Sequence, residues 1–292
     1  MTSKKLPIPK HFDPQRIGEL WRVPYEDRAA QARAWAREHG VTPAHQDSHK
    51  VALVLVDVQN TFCLPGFGLY VGGASGRGPI DDNERLCRFI YRNLARITRV
   101  TATMDTHRAF QIFHELFLVD AEGNHPPPMT QVSAEDVRQG RWRFNAQLAP
   151  ELGIAPEQGQ RHLEHYVESL EQREKYALTV WPYHAMLGGV GHALVPCVEE
   201  ALFFHGMART SQPDLIVKGE HPLTEAYSAL GPEVSEDHEG RPLVDTEPPF
   251  TEIARKHDVV YVAGQAKSHC VAWTVSDWLD QLRASDPDLI GR

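Results

Sequence analysis

Cys270 stands where two sequence patterns meet. Upstream, Val259, Val260, Tyr261 and Val262 are β-branched or aromatic and nearly continuous, which is how a strand buried on both faces of a parallel sheet reads. Downstream, Val271, Val275, Trp278 and Leu282 recur at spacings of four, three and four, along one face of a helix. A cysteine at such a handover meets unpaired amide N–H groups and the positive end of a helix, and both favour the nucleophilic thiolate. The small turn Gly264-Gln265-Ala266 can aim further N–H groups at the same point, where they suit the negative oxygen of a tetrahedral intermediate. The other reading of the same residue is a buried thiol that only packs.

Further strand ends carry acids, ligands and a base. HKVALVLVDVQN holds an apolar run from Val51 to Val56 that ends on Asp57, at the carboxyl end of a strand, where open α/β sheets present their ligand crevice. A carboxylate there serves either chemistry or the capping of backbone amides. Gln59, Asn60 and Phe62 lie on the loop just beyond. ITRVTATMD reads as a second strand, and Asp105, His107 and His114 form a cluster of hard and borderline metal ligands immediately after it. Such a set suits a transition metal: imidazole favours zinc or iron, and the carboxylate also accepts manganese. WPYHAMLGGVGH places another histidine, His184, on a loop marked by proline and glycine. DLIVKG is a third strand ending on Lys218, which is either a surface charge or, if enclosed, an ammonium that needs a partner. His162 and His165 sit among charged residues in RHLEHYVESLEQREKY, so a solvated helix face is expected for them.

The elements needed to bring these residues together alternate as β, α, β, long insertion, α, β, loop, α, β, α. That order predicts an α/β fold with a doubly wound, mostly parallel sheet, helices on both faces and right-handed crossovers. Residues 1–49 read as an N-terminal helical extension, with YEDRAAQARAWAREHG closed by Gly40, and 50–292 as the main domain carrying an insertion at 115–180. The glycine-rich stretch Gly66 to Gly78 lacks the phosphate-loop pattern. A net charge of −9 argues against a nucleic-acid partner, and the four cysteines form no CxxC pair, so they read as reduced thiols. There is neither a signal-peptide core nor a run of about 18 apolar residues, so no membrane partner and a cytoplasmic location are expected.

Over roughly residues 50–282 the separated motifs resemble, in order and placement, the nicotinamidase branch of the isochorismatase-like cysteine hydrolases. VDVQNTF resembles the family's first-strand motif and implies a catalytic Asp57, with Phe62 packing on the substrate ring. MDTHRAFQIFH and WPYH resemble its metal motifs and imply the ligands Asp105, His107, His114 and His184, with Trp181 stacking on substrate. IVKG followed by AYSAL implies a catalytic Lys218, and AGQAKSHCV implies the nucleophile Cys270 with backbone N–H groups of Ala266 and Cys270 as oxyanion hole. The resemblance therefore implies hydrolysis of nicotinamide, or of another small carboxamide, through a thioester. It also implies one divalent transition metal, zinc first, with iron or manganese as alternatives, and a homo-oligomer. A metal-binding or assembly protein without turnover is the reading from a different class. The chain departs from the family in the long stretch between His114 and Trp181, in Ala185, and in the extra first 49 residues. It also stops at DPDLIGR, where the family fold continues, so the last strand is expected to be missing.

Overall fold

Val51–Val56 forms the strand β1 because six consecutive aliphatic residues can all be buried only in the middle of a sheet, and all six are. In the computed structural model, which describes residues 5–173, 175–244 and 250–291, three more strands pair in parallel around it: β2 (Arg99–Asp105), β3 (Asp214–Lys218) and β4 (Val259–Gly264). Residues 1–4 of the expected extension and Arg292 of the expected main domain lie outside the described residues. The strand order is β3-β2-β1-β4, with Ala52 opposite Arg99 on one side of β1 and Val51 opposite Val259 on the other. The chain winds from β1 outward to β3 and then returns to the far side of β1. The crevice at this reversal lies beyond the carboxyl ends of β1 and β4.

The longer helices are α1 (Tyr25–His39), α2 (Gly78–Arg92), α3 (Pro156–Gln172), α4 (Pro196–Arg209), α5 (Phe250–Lys256) and α6 (Ala272–Ser285). Because side chains alternate along a strand, β1 feeds two cores. Leu53 and Leu55 pack with Leu86, Ile90, Val198 and Leu202 of α2 and α4, whereas Ala52, Val54 and Val56 pack with Phe250, Trp278 and Leu282 of α5 and α6. The predicted parallel sheet with helices on both faces is thus the observed architecture.

Residues 5–49 are tied into the first of these cores. Ile17, Ala32 and Ala36 are buried in it, Arg28 Nε donates to Glu200 at 2.6 Å, and the buried Arg209 guanidinium donates to the Thr42 carbonyl and to Asp47. Gly40 closes α1 in the left-handed conformation, φ 65°, as its sequence position predicts. The stretch 115–180 supports a third core of its own, in which Leu163, Tyr166, Val167 and Leu170 of α3 pack on Phe117 and Leu178.

Two expectations are corrected. His162 is not on a solvated face: it is 1% exposed, with Nε2 at 2.7 Å from the Leu223 carbonyl, because the loop after β3 folds over that side of α3. Nor does a helix open on Cys270. The residue lies inside a π-helical turn, Lys267–Val271, and α6 begins only at Ala272. Among the described residues no helix is long and apolar enough to cross a membrane.

Candidate active site

The carboxyl ends of all four strands meet at one buried cluster. Asp57 follows β1 with φ 50°, a left-handed backbone that is strained for a residue with a Cβ, and strain of this kind is concentrated at functional sites. Its side chain is wholly buried and fixed from β2: the Asp57 N–H donates to Thr103 Oγ1 at 3.1 Å, and the Thr103 hydroxyl donates to Oδ1 at 2.5 Å. That leaves Oδ2 as the oxygen facing Lys218, whose Nζ is 3.1 Å away. Nζ also donates to Asp105 Oδ1 at 2.9 Å and to the Ala226 carbonyl at 2.7 Å, and it lies 3.9 Å from Cys270 Sγ. One ammonium therefore joins an acid, a thiol and the first residue of the ligand cluster.

The electrostatics follow from burial and from that ammonium. Burial works against a charged Lys218, but Asp105, Asp57 and Cys270 outweigh it and hold its pKa well above the ordinary value. Burial raises Asp57, with Lys218 opposing, so its carboxylate is a better base than a surface aspartate. Burial also pushes the Cys270 thiol well up, again with Lys218 opposing. Burial thus opposes the thiolate that the sequence position of Cys270 favours, while the Lys218 ammonium supports it.

Glycine is required at two close approaches. A Cβ at Gly264, φ 138°, would lie 2.0 Å from the Val56 carbonyl oxygen, and one at Gly219, φ 81°, would lie 2.9 Å from the His107 ring. After Gly264 comes a cis peptide between Gln265 and Ala266. Among the described residues no acceptor meets the Ala266 N–H.

Asp105, His107 and His184 offer ligand atoms within 4.8 Å of one another, and all three are buried. His107 Nε2 is 2.8 Å and His184 Nε2 3.6 Å from the same oxygen, Asp105 Oδ2. Each histidine turns its other nitrogen to a backbone carbonyl: His107 Nδ1 to Gly219 at 3.1 Å, His184 Nδ1 to Pro182 at 2.8 Å, His114 Nδ1 to Ala109 at 3.2 Å. A carbonyl accepts only, so in His184 and His114 Nδ1 donates and Nε2 presents its lone pair. His107 lies between the Gly219 carbonyl and the Asp105 carboxylate, with Gln111 Nε2 3.4 Å from its Nδ1. His114 stands outside the trio, its ring 6.2 and 6.3 Å from those of His107 and His184, and its buried Nε2 has no hydrogen-bond partner among the described residues. Burial depresses the His114 pKa to about 3, which keeps it neutral and able to ligate. Carboxylate and imidazole donors with free lone pairs fit a divalent transition metal.

No protein-family model matches the chain, and no curated protein matches it. Solved structures do. The chain is similar to a nicotinamidase/pyrazinamidase from Acinetobacter baumanii, at 20% identity over 81% of this chain and 80% of that one, TM-score 0.44. It is similar to yeast nicotinamidase bound to the inhibitor nicotinaldehyde, at 16% identity over 79% and 82%, TM-score 0.47. It is also similar to a pyrazinamidase of Pyrococcus horikoshii in complex with zinc, at 19% identity over 79% and 78%, TM-score 0.39.

The remaining expected residues are Phe62 and Trp181. Phe62 is 5% exposed, with its ring 5.7 Å from that of His184. Trp181 is half-buried, and its indole Nε1 donates to Glu225 Oε1 at 2.7 Å and to the Tyr227 hydroxyl at 3.2 Å. Several residues of the site escaped the sequence reading. Thr103 sits two positions before Asp105 on β2, hence on the same strand face, and that spacing was the available signal. Gln59, placed by the sequence on the loop after β1 but given no role there, locks the ends of β1 and β2 together by accepting from the Asp105 N–H and donating to the Asp105 carbonyl, both at 2.8 Å. Glu225, buried and raised by that burial and by Glu233, had no signal at all.

Proposed function

We propose that this chain is a metal-dependent cysteine amidohydrolase that cleaves a small planar carboxamide, nicotinamide first, to the acid and ammonia. The observation that carries the proposal is the single ammonium of Lys218 within reach of Asp57, Cys270 and Asp105 at once, in a setting where all four side chains are buried. A packing cysteine has no need of a paired acid and base, and a charge network of this density is costly unless it is used.

In the proposed reaction Asp57 Oδ2 takes the thiol proton as Cys270 sulfur attacks the amide carbon, while Lys218 stabilises the developing thiolate. The oxygen that becomes negative is received by the N–H groups of Ala266 and Cys270. The C–N bond breaks, Asp57 returns its proton to the leaving nitrogen, and ammonia departs to leave a thioester on Cys270. Asp57 then deprotonates water, the hydroxide attacks the thioester, and acid and thiol are released. Asp105, His107 and His184, with His114 behind them, are the residues to hold a divalent metal. When bound it supplies a fixed Lewis acid for a ring nitrogen. Phe62 and Trp181 would flank the ring.

The test is ammonia release from nicotinamide and pyrazinamide by purified, zinc-supplemented protein. Cys270→Ala is expected to lower turnover by at least about 10³-fold while binding the same amount of metal. A wild type without ammonia release, or a Cys270→Ala variant that keeps it, would defeat the proposal.

A further inference from the structure

The insertion at 115–180 reaches the nucleophile. Its last segment leaves α3, with the Lys175 N–H on the Leu170 carbonyl at 3.0 Å, and runs into a short strand, Leu178–Thr179, that pairs with Gln131–Val132. Tyr176 lies between these two fixed ends. Its hydroxyl donates to the Ser268 carbonyl at 3.0 Å, two residues before Cys270 and inside the π-helical turn. Its ring meets that of His269 at 4.8 Å and that of Trp273 at 5.8 Å, on either side of Cys270. The neighbouring Lys175 places its ammonium 3.8 Å over the Trp273 ring and 3.4 Å from the buried Glu233 carboxylate.

A π-helical turn is a rare and poorly self-supporting backbone form, found mostly where function requires it. Cys270 Sγ owes its 3.9 Å separation from Lys218 to the shape of that turn, so whatever braces the turn from outside sets the geometry of attack. Tyr176 is 42% exposed and adds little to the core, yet it combines a hydroxyl bond to the turn with ring contacts on both sides of the nucleophile. We propose that Tyr176 is a positioning residue for Cys270, and that the insertion is a working part of the active site that clamps the nucleophile turn through the Ser268 carbonyl. The proposal rests on the amidohydrolase reading for its kinetic consequence only, since the clamp itself is a property of the fold.

Tyr176→Phe removes the hydroxyl and keeps the ring. It is expected to lower kcat for nicotinamide about tenfold with KM changed less than twofold, because misplacement of the nucleophile costs rate rather than binding. Tyr176→Ala is expected to lose at least as much. In hydrogen exchange read by mass spectrometry, peptides spanning 265–275 of Tyr176→Phe should exchange faster than in wild type, with β1 and β2 unchanged. A raised KM at constant kcat would make Tyr176 a substrate contact and overturn the proposal, as would unchanged kcat or unchanged exchange in the turn. If the wild type releases no ammonia, the amidase reading fails while the exchange experiment still decides the clamp.

Discussion

β1 and β4 are neighbours with almost the same kind of sequence, VALVLV and VVYVAG, and the fold treats them differently. Every residue of β1 is buried, whereas β4 is half-exposed along its length and Tyr261 is 48% exposed. Their carboxyl ends differ as well. The end of β1 is bound into β2, Asp57 by Thr103 and Gln59 by the Asp105 backbone, while the turn after β4 receives a hydrogen bond from Tyr176. A continuous apolar run states that a segment will be a strand; the number of neighbours it acquires decides what a change there costs.

The largest difference should appear between two lysines, one closing β3 and one following β4. Lys218→Met leaves Asp57 and Asp105 buried without their cation, so turnover should fall at least about 10³-fold and stability by about 3–5 kcal/mol in urea unfolding. Lys267→Met, at an exposed position beside β4, should stay within about 0.5 kcal/mol. Similar losses would erase the contrast. His107→Ala comes next: metal affinity, read by elemental analysis after dialysis at fixed free zinc, should drop at least about 10-fold, and full occupancy would remove His107 from the ligand set. Within the sheet, Val54→Ala should cost about 2 kcal/mol and Val260→Ala less than about 1 kcal/mol, and equal values would mean that β4 is covered in solution.

Acid should act on the packed side of the molecule first. Burial holds the His162 and His205 pKa at about 4, below the ordinary 6.5, so the unfolded chain takes up protons that the folded chain refuses. Stability therefore rises with pH, is fully present above about 6.5 and is lost as pH falls toward 4, by up to about 2 kcal/mol for each histidine at pH 5. Thermal melts between pH 7 and 4.5 check the sign, and a midpoint that climbs on acidification would refute it.

Much of this was legible in the sequence. Strand ends at Asp57, Asp105 and Lys218 follow from apolar runs that stop on a charged residue, and the α/β alternation leads to a parallel sheet with a crevice at those ends. The residues that escaped notice make their contacts across long sequence separations: Thr103 to Asp57 over 46 positions, Trp181 to Glu225 over 44, Tyr176 to Ser268 over 92. Periodicity is local and contains no record of such pairings. His162 was misjudged for the same reason, because charged neighbours along the helix say nothing of a loop that arrives from residue 223.

The sequence by itself determined where the four strands form, that three of them end on Asp57, Asp105 and Lys218 or immediately before, and that they run parallel. These depend on side-chain type and on repeats of two or about four residues, which are local properties. Tertiary structure alone decided that Cys270 lies in a π-helical turn, that one Lys218 ammonium reaches three side chains and a carbonyl, and that Tyr176 reaches the turn that holds Cys270. Each of those depends on burial and on distances between remote segments, and these exist only once the chain has closed on itself.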